Sequence, residues 1–214
     1  MSGLDYQRTI IGYHGCDART RERVLLGRAR LNASQNDYDW LGSGIYFWEY
    51  GPERALSWAR DISYRYPKRI REPVVLGAII HLGVCFDLLD VRFTSYLGQV
   101  YPDFLKAMAR QHLAVPENEG VRGDRIDFPL RKRDCAVLNW VIPFAEAEQK
   151  IKFQTVRSVF QEGKSAFEGS AIRHKSHIQV AVRDPACVLG YFRPRGRANA
   201  GKLGNLTPRK SGAE

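Results

Sequence analysis

The sequence predicts an α+β fold. Strand-like apolar runs and helical patterns follow one another without the regular alternation of a doubly wound sheet. Hydrophobic residues make up 44% of the 214 positions and charged residues 26%, the balance of a globular domain. No Gly-x-Gly-x-x-Gly turn and no Walker-type phosphate loop links a strand to a helix, so the common nucleotide-binding architectures are not expected.

In chain order, 9–13 (Thr-Ile-Ile-Gly-Tyr) reads as a short buried strand, and 18–27 as a helix with apolar Val24, Leu25 and Leu26, closed by Gly27. The run 44–48 (Gly-Ile-Tyr-Phe-Trp) reads as a strand entered through Gly42-Ser43-Gly44. Pro52 then opens a helix to about Tyr64, at a position where the missing N–H costs nothing. Strands are expected at 73–82, 84–88, 151–160 and 177–183, one or two helices at 94–113, and either helix or strand at 134–140. There is no internal repeat.

Thirty-three Lys and Arg against 23 Asp and Glu give a net charge of +10, which draws the chain toward polyanions. From 193 onward six basic residues face only Glu214, Gly and Pro recur, and apolar periodicity stops, so 1–192 is expected to be one domain and 193–214 a flexible basic tail. The longest apolar stretch, 74–80, is far short of the ~20 residues that span a bilayer, and Met1–Arg8 carries no secretory signal. No membrane partner is expected, and a cytoplasmic location follows. Cys16, Cys85, Cys135 and Cys187 are far apart with no Cys-x-x-Cys pair, which favours reduced thiols over a zinc site or disulfide framework. His174 and His177 form a His-x-x-His pair with no third ligand near in sequence, so no metal is expected.

Three segments are unlike core filler: Tyr13-His14-Gly15-Cys16, then Leu41-Gly42-Ser43-Gly44-Ile45-Tyr46-Phe47-Trp48 before a helix, then Ser176-His177-Ile178-Gln179-Val180-Ala181-Val182. In order and spacing, over roughly 170 residues, they resemble the NAD-dependent ADP-ribosyltransferases of the diphtheria-toxin and poly(ADP-ribose)-polymerase branch. The resemblance implies two split, antiparallel-rich sheets with flanking helices and an NAD cleft between them. The first sheet would carry His14 and the second would follow from Tyr46. It implies that His14 bonds a ribose hydroxyl, that Gly15 lets its backbone approach the carboxamide, and that Tyr46 stacks on the nicotinamide. The family's second aromatic falls on Ser57 here, one residue before Trp58, which becomes the expected opposing wall. Arg19, with Arg21 and Arg23, would face the pyrophosphate. These residue types suit the chemistry: scission of the nicotinamide–ribose bond builds oxocarbenium-like charge, which positioning and electrostatics must stabilise, and a tyrosine face attracts a flat cation.

The chain departs from that pattern at Gln179, where the family carries a glutamate. Glutamine can orient a hydroxyl but brings no negative charge and no base. Three expectations stay open: transfer with Gln179 as an orienting group, recruitment of Glu162 or Glu168 from the preceding loop, or loss of chemistry with retained binding. His177, two residues earlier, is a further catalytic candidate as a base near neutral pH. The leading expectation is therefore a mono-ADP-ribosyltransferase, a glycosyltransferase using NAD as substrate without a metal. Its acceptor would be nucleic acid more readily than protein, on the strength of the charge. Its setting would resemble that of intracellular toxins, with an antitoxin or inhibitor as a further partner. The alternatives are an inactive module binding NAD, ADP-ribose or nucleic acid, and an NAD glycohydrolase.

Overall fold

The computed structural model describes residues 5–120 and 128–195. The expected tail lies, from 196 onward, outside the described residues. Arg193 at its base pairs with Glu22. In chain order the elements are β1 (Asp5–Asp17), α1 (Ala18–Leu25), β2 (Ile45–Glu49), α2 (Pro52–Arg65), β3 (Pro73–Asp87), α3 (Val91–Arg110), α4 (Lys132–Gln149), β4 (Thr155–Phe160), β5 (His177–Val182) and β6 (Val188–Phe192), with a 3-10 turn at Pro185–Cys187.

The strands hydrogen-bond in the order β1-β2-β5-β4-β3-β6, and β1 also pairs with β3, so five of them close into a ring. Two separate sheets were expected, and one continuous sheet is found. The split survives as two short seams. β1 and β2 are joined only at Gly12 opposite Glu49 and Tyr13 opposite Trp48, and β3 and β4 only over Cys85–Asp87. Away from the seams β1 follows β3 from Asp17 opposite Pro73 to Asp5 opposite Val84, and β5 pairs along its whole length with β4 and, over residues 179–182, with β2.

The sequence breaks the long third strand in two at Gly83. The structure keeps it whole, and Gly83, at φ +56°, supplies the backbone turn near which β3 changes partner from β6 to β4. The expected 94–113 helix is one helix, α3, capped by Asp90 and continuous through Pro102. The ambiguous 134–140 segment is the middle of α4, whose buried residues Cys135, Leu138, Val141, Ile142 and Ala145 recur at helical spacing.

One core fills the ring, with Ile10, Phe47, Ile80, Leu82, Val180 and Val182 all buried. A second lies outside β2, β5 and β4, where α3 and α4 cover Val156, Phe160 and Ala181. Inside the ring Arg157 bonds both Glu49 (2.6 Å) and Asp87 (3.0 Å), all three nearly sealed from solvent. Among the described residues no helix is long and apolar enough to cross a membrane.

Candidate functional site

The β1–β2 seam is where the first two sequence motifs meet. Tyr50 N–H donates to Ile11 O (3.0 Å), so strand alternation directs the peptide groups of Tyr13 and Gly15 to the same β2-facing edge. The ladder nevertheless ends at Tyr13 and Trp48; the next hydrogen-bonded pair, Gly15 with Tyr46, is not formed. His14 Nδ1 lies 2.8 Å from Tyr46 O instead. A carbonyl can only accept, so Nδ1 carries the proton and Nε2 presents a lone pair. Burial lowers the His14 pKa more than that bond raises it, so the ring is neutral at pH 7. The seam therefore holds an acceptor nitrogen and, by alternation, the peptide of Gly15 at the opening edge.

Gly15 is required for a second reason that the sequence did not disclose. A Cβ there would stand 2.3 Å from Ala55 O and 3.1 Å from Ala59 Cβ, because α2 packs directly on β1 through two fully buried alanines. The bare glycine faces the helix. Tyr46 is fixed through its hydroxyl, which accepts from Leu41 N–H (3.0 Å) and donates to Gly42 O (2.8 Å). Its pKa is pushed well above the usual tyrosine range, chiefly by burial. The Gly42-Ser43-Gly44 turn is also tied to α4, where Asn139 Oδ1 accepts Ser43 N–H (3.0 Å). Trp58, expected opposite Tyr46, packs against Trp48 instead, with centroids 5.7 Å apart. Arg19 sits exposed on the first turn of α1, its backbone N–H capped by Asp17.

On β5, Gln179 is buried opposite Trp48 of β2 and Ser158 of β4. Its Oε1 accepts from Trp40 Nε1 at 2.6 Å. Trp40 meets Phe160 edge-on (4.9 Å), and the Arg131 guanidinium lies over Phe160 at 3.8 Å and Trp40 at 4.9 Å. His177 stacks on Phe160 (5.4 Å, 13° between planes) and lies 6.1 Å from Trp48. Its Nδ1 is bonded to Lys175 O at 2.6 Å, and burial pushes its pKa down to about 4. The expectation of a base titrating near neutrality is corrected accordingly: the ring is neutral at pH 7 and only weakly basic.

Of the two loop carboxylates, Glu168 is exposed on the surface, whereas Glu162 reaches Arg54 of α2 at 2.5 Å. Around Trp48, buried polar atoms have no partner among the described residues: Trp48 Nε1, Arg54 Nε and Nη1, and His177 Nε2. Arg54 Cζ lies 5.8 Å from the Trp48 ring centre. The structure thus gathers His14, Gly15 and Tyr46 at the seam, and Gln179 and His177 on the next strand across Trp48. It leaves Glu168 and Arg19 at the periphery. Trp40, Arg54, Phe160 and Glu162 join the neighbourhood of Gln179 and His177. Trp40 stands directly ahead of the Leu41–Trp48 segment but was not singled out by the sequence reading, and nothing local announced Arg54.

All four cysteines are buried and free. Cys16, Cys135 and Cys187 have pKa values of about 11 and Cys85 about 12, each raised chiefly by burial, so none is an activated thiol. Among the described residues no group of three or more His, Cys, Asp or Glu could hold a metal.

Across 204 aligned residues the chain is 24% identical to an uncharacterized protein, MJ0359, of Methanocaldococcus jannaschii, and the match covers 86% of each chain. No protein-family model and no solved structure matches the chain.

Proposed function

We propose that the chain is a mono-ADP-ribosyltransferase that cleaves the nicotinamide–ribose bond of NAD and passes ADP-ribose to nucleic acid. The observation that carries this is the interrupted β1–β2 ladder: the His14 imidazole takes the Tyr46 carbonyl while the Gly15 peptide faces the gap. Such a gap offers what a carboxamide needs, a donor and an acceptor side by side on one backbone edge, and what a ribose hydroxyl needs, a neutral imidazole lone pair. In this scheme Gly15 fixes the carboxamide, and His14 Nε2 accepts a ribose hydroxyl. The pinned Tyr46 gives the site one rigid wall, so that little reorganisation remains at the moment of bond breaking. The C–N bond breaks with its electron pair leaving on nicotinamide, and an acceptor oxygen or ring nitrogen bonds the ribose carbon and gives up any proton it carried to solvent.

Gln179 contributes orientation without charge, its carbonyl already held by Trp40. The same bond favours the second reading, a binding module of this fold without catalysis, since a neutral, engaged amide does little for an oxocarbenium. Incubation with NAD labelled in the adenine half separates them. Label on RNA or DNA with release of nicotinamide, both lost in His14→Ala, is expected for the transferase. Nicotinamide release without label on any acceptor indicates a glycohydrolase. NAD or ADP-ribose binding with no release under any condition sinks the transferase and leaves the binding module.

A further inference from the structure

The turn from α2 into β3 carries a surface that the proposed chemistry does not use. Residues 64–69, Tyr-Arg-Tyr-Pro-Lys-Arg, are all exposed, as is Arg71. A groove of about 470 Å³ is lined by Tyr38, Arg65, Tyr66, Pro67, Lys68 and Arg69. The lining has three cations and no acid. Among the described residues no carboxylate pairs with Arg65, Lys68 or Arg69, although the chain forms many ion pairs elsewhere. Two tyrosines line the groove, Tyr38 at 39% and Tyr66 at 58% exposure, and Tyr64 on the last turn of α2 is 91% exposed. Leaving three large rings in water beside unpaired cations has no packing rationale.

We propose that this groove binds single-stranded nucleic acid, with bases stacked on Tyr38 and Tyr66 and phosphates on Arg65, Lys68 and Arg69. Cations alone fit any polyanion, but flanking aromatic faces fit unpaired bases, which a duplex keeps in its own stack. The groove is in the size range of pockets for small organic ligands, enough for a nucleotide at a time rather than a helix. It is also anchored next to the candidate site. Asp17 Oδ2 accepts the backbone N–H of Arg71 (2.8 Å) and Glu72 (3.1 Å). Asp17 is three residues beyond His14 on β1, about 10 Å at ~3.3 Å per residue. The segment that leaves the groove is thus fastened to the strand that carries His14. The inference deepens the acceptor class proposed above, yet it is measurable without NAD.

The test is fluorescence anisotropy with labelled 12-nucleotide RNA and DNA, single-stranded and as duplexes, on the full chain without NAD between 50 and 200 mM salt. Single strands should bind better than duplexes. Tyr66→Ala should weaken binding about tenfold to a hundredfold with the salt dependence unchanged, because stacking is lost and phosphate contacts are kept. Lys68→Ala with Arg69→Ala should weaken binding and lower the log–log salt slope by about 1.4 on single strands. All these side chains are exposed, and urea midpoints equal to wild type exclude misfolding. Equal affinity of wild type and both variants, or preference for duplex, overturns the proposal. So does loss of NAD binding in the variants with no change in oligonucleotide affinity, which would assign the cations to the dinucleotide pyrophosphate. Oligonucleotide binding without nicotinamide release under any condition defeats the transferase and keeps the groove; nucleic-acid labelling indifferent to Tyr66 does the reverse.

Discussion

Replacing Gly15 by alanine tests the contact on which the seam is built. The new Cβ would lie 2.3 Å from the Ala55 carbonyl oxygen and 3.1 Å from Ala59 Cβ. Non-bonded heavy atoms sit comfortably at about 3.5 Å, so α2 has to retreat by about 1 Å along its contact with β1. Overpacking of this kind costs about 1–3 kcal/mol, and the upper end applies because the obstacle is helix backbone rather than the tip of a flexible side chain. Against a stability of about 5–15 kcal/mol for a domain, that is a large loss. Urea unfolding monitored by far-UV circular dichroism should show a lower midpoint with an unchanged slope. Gly98→Ala is the control. Gly98 is exposed within α3 with open space where a Cβ would go, so alanine should raise stability by up to about 1 kcal/mol. Gly15→Ala within about 0.5 kcal/mol of wild type would refute the reasoning. Unchanged stability with lost NAD binding would assign the glycine to ligand approach alone.

Gln179→Ala strands the buried Trp40 Nε1–H, now bonded at 2.6 Å, and should cost about 1–3 kcal/mol in urea unfolding. Gln179→Glu keeps an acceptor for Trp40 and adds the missing charge; if the seam breaks the glycosidic bond, nicotinamide release should rise about tenfold or more. His177 carries a pH signature. Its folded pKa of about 4 lies below the ordinary 6.5, so the unfolded chain binds the extra proton. The stability contribution is complete above pH 6.5 and is lost as pH falls toward 4, by up to about 3 kcal/mol. His177→Phe should flatten the profile of stability between pH 4 and 6.5; identical profiles in the two proteins would contradict the assignment. Arg157→Met leaves Glu49 and Asp87 buried without their cation and should destabilise by about 3–5 kcal/mol, checked by thermal and urea unfolding.

Local chemistry in the sequence determined most of the elements. Apolar runs located five strands, the glycine turn before Ile45 placed the start of β2, and Pro52 placed the start of α2. The longer extent of β1 and the existence of β6 were not legible, because a strand end is defined by its partner and not by its own residues. The motifs around His14, Tyr46 and Gln179 were visible as patterns. What each residue touches was not: that His14 replaces a ladder bond, that Gly15 admits a helix, that Gln179 is held by Trp40, 139 positions away. The +10 charge pointed to a polyanion, but which cations lack partners is a property of the folded surface. Sequence periodicity reports the face a residue presents to the core. Only the pairing of distant strands decides which residues become neighbours, and hence that a histidine expected to titrate near neutrality is set opposite Phe160 and held neutral.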